Sequence, residues 1–336
     1  MRTIWLYSLL LLTCLPGQAQ QRAHYSQYML NNYLLNPALS GIENYTDVRL
    51  GHRKQWSGLS DAPQTSFITA NWSLGDQYLW PNPLSFDEKG DNPMQRNYQQ
   101  HYTSSPAHHG MGILIANDHA AQINSTVLGI SYAYHLQMNG RLNLSMGLSG
   151  GFNRTSINTA GLLMESPSDP ALANATRNAF NPDLSIGTWL YGPDFFAGIS
   201  VQQLVAQTMV FNEDQQYNHS KQIPHVFATA GYKVFFAEDF YVLPSVMAKI
   251  VTNTPTSVDA NFKMGYRDRA WIGAGYRAND AMVAMAGVNI SQLFNVTYSY
   301  DFTASPLNQV SNGSHELVIG LLLNNVYKVF CPQNMW

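Results

Sequence analysis

Charge is scarce in this sequence. Asp, Glu, Lys and Arg make up 12% of its 336 residues, about half the ~25% of an ordinary soluble domain. A water-facing surface of normal Lys and Glu density is therefore excluded, although hydrophobic residues, at 45%, are not in excess. A net charge of −3 leaves no basic surplus for nucleic acid. Cysteine is nearly missing, with only Cys14 and Cys331. Long apolar runs are missing too, and none approaches the ~20 residues a membrane-crossing helix needs. Asn, Gln, Ser, Thr and 24 glycines fill the polar share instead. Small polar residues of this kind suit the interior and turns of a barrel whose outside faces lipid.

The first nineteen residues read as a secretory signal peptide. Arg2 supplies the positive region, Ile4 to Leu12 the short apolar core, and Gly17-Gln18-Ala19 the small-x-small cleavage site. Leu11-Leu12-Thr13-Cys14 loosely resembles a lipoprotein signal, but Thr13 is a poor residue before the cysteine. Cleavage after Ala19 leaves Cys331 alone, so no intramolecular disulfide is expected. An exported chain without a spanning helix is periplasmic, secreted or a barrel.

Strict alternation narrows the choice. In Val258-Asp259-Ala260-Asn261-Phe262-Lys263-Met264-Gly265-Tyr266 apolar residues alternate with polar or small ones. Phe294 to Asp301, Leu142 to Ser149 and Leu128 to Met138 repeat the pattern. Period two is the mark of half-buried strands. Fourteen such segments are expected, near 46–54, 64–74, 110–118, 126–138, 141–155, 183–191, 194–203, 224–236, 239–250, 256–266, 269–278, 280–290, 292–303 and 314–324. Most have about the 9–11 residues of a tilted transmembrane strand, and an even count is what single-chain bacterial barrels show.

The connections separate a barrel from a sandwich. Alternate ones are tight: Asn139-Gly140, Gly192-Pro193, Ala237-Glu238, Arg267-Asp268 and Ser291-Gln292. Asn-Gly is read here as a hairpin turn with positive φ at both residues. The others are mostly longer, including 156–182, 204–223 and 304–313. Short periplasmic turns alternating with longer outer loops is the pattern of a transmembrane barrel with both ends periplasmic. The 75–109 connection breaks the parity and is read as an irregular periplasmic insertion.

Charge has a side as well. Arg49, Arg53, Lys233, Lys249, Lys263, Arg277, Asp259, Asp301 and Glu316 all fall on the polar face of their strands. Arg or Lys facing lipid near the midplane would cost ~2–4 kcal/mol each, so that face is the interior. Arg53 is expected to form an ionic cluster with Glu316 or Asp301 where first and last strands pair. Trp72, Tyr132, Trp189, Tyr191, Trp271 and Tyr298, near segment ends, are assigned to interfacial girdles.

Ordered motifs along the mature chain resemble one family. Tyr25-Ser26-Gln27-Tyr28 precedes an Asn-Pro-Ala-x-x-Gly turn, Asn36-Pro37-Ala38-Leu39-Ser40-Gly41. Arg53-Lys54-Gln55-Trp56-Ser57-Gly58 leads to Ala62-Pro63, and Gly110, Gly112, Asn117 and Asp118 follow. Then come Tyr132-Ala133-Tyr134-His135, Asn181-Pro182-Asp183, Gly198-Ile199-Ser200, Gly231-Tyr232, Tyr276-Arg277, Tyr298-Ser299-Tyr300-Asp301, Gly313-Ser314-His315-Glu316 and Cys331-Pro332. Jointly these resemble the PorP/SprF family of the type IX secretion system. The resemblance implies a FadL-like all-β barrel in the outer membrane of a Bacteroidetes bacterium. It also implies work with the secretion and gliding machinery, through contacts with periplasmic ring components or with an exported surface protein. The residues themselves divide the chain into a signal peptide over 1–19, an N-terminal segment over 20–45 whose Tyr25, Tyr28, Tyr33, Tyr45 and asparagines suit a lumen plug or else a periplasmic tail, a barrel over 46–324 that includes the 75–109 insertion, and a tail over 325–336. Leu39-Ser40 departs from the aromatic-Ala more usual after the Asn-Pro-Ala turn.

No enzyme chemistry stands out. His101, His108 and His109 lack metal-ligand spacing and are read as solvated loop residues. No G-x-S-x-G nucleophile turn is present, and Gly110-Met111-Gly112 lies on a strand rather than opening a phosphate-binding helix. No cofactor is expected. Trp56 and Arg53 either touch a partner at the rim or cap the barrel mouth. The alternative function is a FadL-like channel for a hydrophobic small molecule. It is disfavoured because the inward faces read as Ser, Asn, Gly, Thr and charge.

Overall fold

The computed structural model describes residues 31–75, 102, 104–157, 178–205, 207–208, 221–237, 239–252, 254–267, 269–278, 280–304, 309 and 311–325. The signal peptide, Tyr25, Tyr28, most of the 75–109 insertion and Cys331 lie outside these residues.

Fourteen antiparallel strands close into a barrel. They are β1 (Thr46–Lys54), β2 (Gln64–Leu74), β3 (His108–Ala120), β4 (Ile123–Asn139), β5 (Leu142–Ile157), β6 (Asn178–Tyr191) and β7 (Phe195–Gln202). Then follow β8 (His225–Tyr232, continued by Val234–Phe235), β9 (Phe240–Val251), β10 (Ser257–Tyr266), β11 (Ala270–Arg277), β12 (Ala281–Asn289), β13 (Phe294–Thr303) and β14 (Ser314–Leu323). Each pairs with its sequence neighbours, and β1 closes the ring on β14 with Thr46 opposite Leu323 and Arg53 opposite Glu316. Closure leaves no sheet edge, the condition for a sheet to sit in lipid. Among the described residues no helix is long and apolar enough to cross a membrane.

Alternation translates directly into sidedness. Ile113, Ile115, Leu128, Ile130, Leu148, Ile186, Phe262 and Ile272 are exposed on the outside. So continuous an apolar surface is foreign to soluble monomers and marks a lipid face. All nine charged residues assigned to the interior are buried.

Several details differ from the sequence-based expectation. Strands β3 to β6 are longer than a bilayer crossing needs, and β4 spans 17 residues. The third connection is consequently the tight turn Ala121–Gln122 rather than a loop. Polar cross-strand bonds extend the ladder there: Thr65 Oγ1 donates to Asp118 Oδ1 at 2.6 Å, and Asn117 Nδ2 to Thr126 Oγ1 at 2.8 Å. Asn139 and Gly140 are not among the residues with positive φ. Instead Asn139 Oδ1 accepts from Arg141 N at 2.8 Å, beside a register shift between Gln137 and Asn139.

Three girdle assignments fail. Trp189 (1% exposed), Tyr191 (1%) and Trp271 (7%) point into the lumen. The reason is packing across the ladder. Trp189 lies over Gly198 and Trp271 over Gly287, each its register partner on the next strand. Phe67 over Gly51, Phe196 over Gly231 and Tyr241 over Gly265 repeat the device. A bare glycine gives an inward ring a flat place to lie. The lumen wall is thus not purely polar: Leu243, Met247, Val283 and Met285 also join its buried apolar cluster.

Candidate functional site

One end of the lumen is filled by the chain's own residues 31–45, all of them buried. Two single-turn 3-10 helices, Asn32–Leu34 and Pro37–Leu39, fold the segment. Local chemistry dictates the second. Asn36 caps it by accepting from Ala38 N at 3.0 Å, and Pro37 occupies the first turn, where no N–H is needed. Gly41 ends the motif at φ +69°, with its Cα so near Gly110 that an added Cβ would stand 2.6 Å from the Gly110 Cα. Only glycine meets both demands.

One face of the segment lies against β3 to β7, and its main chain is gripped there by side chains. Ser200 Oγ donates to the Leu35 carbonyl at 2.6 Å, and Gln202 Nε2 to the Leu34 and Leu35 carbonyls at 2.9 Å each. Ser145 Oγ donates to Ala38 O at 2.6 Å and His135 Nε2 to Ser40 O at 2.8 Å, while His108 lies between two carbonyls, with Nε2 3.1 Å from Gly41 O and Nδ1 2.8 Å from Pro106 O. In return Asn36 Nδ2 donates to Thr188 O at 3.0 Å, and Gly41 N to Asn71 Oδ1 at 3.2 Å. Tyr33 and Ser131 share a hydroxyl hydrogen bond at 2.7 Å, while burial pushes the Tyr33 hydroxyl pKa up to about 12. Leu34, Leu35, Leu39 and Ile42 belong to one buried cluster with Leu243, Met247, Met285 and Val318 of other strands.

His108 and His109 are therefore not solvated loop residues. His108 starts β3 facing inward and stacks on His135, centroids 4.4 Å apart and planes 3° apart. His109 faces out, with its Nδ1 2.6 Å from the Tyr132 hydroxyl. Sequence reasoning also missed Ser145, Ser200, Gln202 and the glycines beneath the segment. The available signals were the inward parity of Gly110 and Gly112 and the place of His135 and Ser200 in motifs.

Near the opposite end of the lumen an ionic network crosses the closing seam. Arg53 on β1 donates to Asp301 on β13 at 2.9 Å and to Glu316 on β14 at 3.1 Å. Arg277 on β11 continues it, 3.7 Å from Asp301, 3.3 Å from Asp259 and 3.0 Å from Asp280. Opposite charges interdigitated in this way keep each buried ion compensated. Beyond it the rim is zipped by main chain: Ser57 N donates to Gly313 O and Asn312 N to Ser57 O, both at 2.7 Å. Trp56 (φ 45°) donates its N–H to Ser314 Oγ, and Gly58 (φ +101°) turns the loop. Gln55 N reaches Pro63 O across the base of that loop. His315 faces outward and meets the Tyr298 hydroxyl at 2.7 Å.

The motif residues thus fall into three groups. Asn36, Pro37 and Gly41 shape the lumen segment, Arg53, Arg277, Asp301 and Glu316 form the ionic seam, and Gln55, Trp56 and Gly58 build the rim. Asn117, Asp118 and His315 lie apart from all three contacts, on the outer parts of their strands. A model of the family described as type IX secretion system membrane protein PorP/SprF matches residues 17–321, most of the chain and all three groups. The chain belongs to the PorP/SprF family. This PorP/SprF protein is accordingly an outer-membrane barrel of the type IX secretion system.

Among solved structures, the toluene transporter TbuX of Ralstonia pickettii is similar over 88% of this chain and 94% of its own, at 10% identity and a TM-score of 0.50. CymD, a monoaromatic hydrocarbon channel, covers 88% and 91% at 12% identity and a TM-score of 0.47. At such identities TbuX speaks for the fold alone. No protein of curated function matches the sequence significantly.

Proposed function

We propose that this PorP/SprF protein supports the export or surface attachment of partner proteins, without catalysis, through protein–protein contacts made by a barrel whose lumen is closed. The supporting observation is the seat of residues 31–45, whose main chain is held from β3, β4, β5 and β7 and whose leucines join the apolar cluster of the lumen. A barrel so filled is better suited to holding and docking polypeptide than to steady diffusion. Its partners are subunits of the secretion machinery or a secreted surface protein.

The hydrophobic channel is the weaker reading. Beside the segment lies a small recess of roughly 30 Å³ lined by Leu34, Leu114 and Val127, but also by Ser149, Asp183 and Ser185. A carboxylate and two serines suit an acyl chain or aromatic ring poorly.

Deleting the gene and comparing the surface proteome tests the proposal. One or a few large proteins should vanish from the cell surface and appear in the cell or medium, with gliding impaired where gliding depends on them. Normal secretion, normal gliding and an unaltered surface proteome together would sink it.

A further inference from the structure

The wall that holds residues 31–45 is built to read polypeptide main chain. Four carbonyls of the segment, at Leu34, Leu35, Ala38 and Ser40, accept hydrogen bonds from side chains on β4, β5 and β7, and His108 Nε2 on β3 lies 3.1 Å from a fifth, Gly41 O. Carbonyls are common to every residue, so these contacts do not depend on the side chains of the bound segment.

Glycines make the approach possible. A Cβ at Gly110 would strike the Ser40 carbonyl, one at Gly147 the backbone of Pro37 and Ala38, and one at Gly187 the Asn36 amide. The wall is bare at these three positions, on β3, β5 and β6, where the backbone of the segment or its Asn36 side chain comes closest. What the seat does select is shape: Asn36 to cap and to bond Thr188 O, Pro37 for the first turn, a small residue at Ala38, and positive φ at Gly41. It also selects apolar flanks, matching Leu34, Leu35, Leu39 and Ile42.

We infer that the β3 to β7 wall is a peptide receptor, occupied in cis by residues 31–45 and able to take the same Asn-Pro-Ala-x-x-Gly turn from a partner polypeptide. The cis segment is tethered to β1, which gives it an effective concentration on the order of millimolar. A trans segment therefore binds only once the cis segment is unseated. The partner's nature rests on the protein-handling role proposed above, but the receptor itself does not.

The test uses the full-length chain carrying Gly41→Val, which cannot keep both the φ and the contact with Gly110. The probe is a fluorescent synthetic peptide of the sequence 31–45, and binding is read by anisotropy in detergent. The Gly41→Val protein should bind it at least about tenfold more tightly than the wild type does, because the tethered competitor is gone. The peptide carrying Gly41→Val should bind at least about tenfold more weakly than the native peptide. If the Gly41→Val barrel does not show the heat-dependent gel shift of a folded barrel, the paired change Asn36→Ala with Ala38→Glu unseats the segment without touching the wall. No binding to a folded, unseated barrel overturns the inference, as does equal binding of native and Gly41→Val peptides. Because this readout is made in purified protein, its failure is separable from an unaltered surface proteome, which would overturn the secretion role alone.

Discussion

Arg53 and Glu316 stand opposite each other in the pair of strands that closes the barrel, and their side chains meet at 3.1 Å with both about 1% exposed. Removing one partner of a buried ion pair costs about 3–5 kcal/mol, because the other charge is left uncompensated. Arg53→Gln removes a charge partner from two buried carboxylates, Asp301 and Glu316, and should lower the unfolding temperature most. Glu316→Gln should cost less, since Asp301 still holds Arg53 at 2.9 Å. The double variant should lose less than the sum of the two, as read from thermal loss of the folded gel band. Additive losses would show that the pair carries no coupling energy.

Unseating the lumen segment should open the barrel. Gly110→Val drives a side chain into the Ser40 carbonyl, whereas an added Cβ at Gly129 meets nothing within 4 Å. Gly110→Val is expected to raise single-channel conductance and sensitivity to large antibiotics, and Gly129→Ala to leave both unchanged. Unaltered conductance in Gly110→Val would mean that the segment does not close the pore.

The lipid face should tolerate no charge. Ile130→Lys and Ile272→Lys each place an ammonium among exposed outward residues. Each should destabilise the barrel by about 2–4 kcal/mol if near the midplane, measured by urea titration in bilayers. Lys54→Gln, already exposed near the outer end of β1, should change little.

Inward tryptophans should be invisible to lipid. Single-tryptophan variants retaining Trp189 or Trp271 are expected to keep their emission when the acyl chains carry bromine, because both rings lie over glycines within the lumen. Strong quenching of either would return that residue to the interfacial girdle.

Sequence alone determined the class of fold and the sidedness of most strands. Period two is a local property, and low charge with small polar residues leaves few alternatives to a lipid-facing barrel. Where one face was polar or charged, as at Asp259 and Lys263 on β10, its direction could be read at once. Trp189 and Trp271 were misplaced because aromatics near strand ends were assigned to girdles, although they share parity with Asp183 and Arg277; the glycines that receive them lie on neighbouring strands.

Tertiary structure alone decided how the N-terminal segment is held in the barrel. The Asn36 to Gly41 motif announces a turn, but its seat is assembled from Ser145, Ser200, Gln202, His135 and His108, drawn from four strands remote from the motif in sequence. Register likewise chose Arg53's partners. Inward charge could be inferred from the cost of facing lipid, whereas the reach from Arg53 to both Asp301 and Glu316 depends on how the closing strands slide past one another, and strand stagger is a property of the closed ring rather than of any one segment.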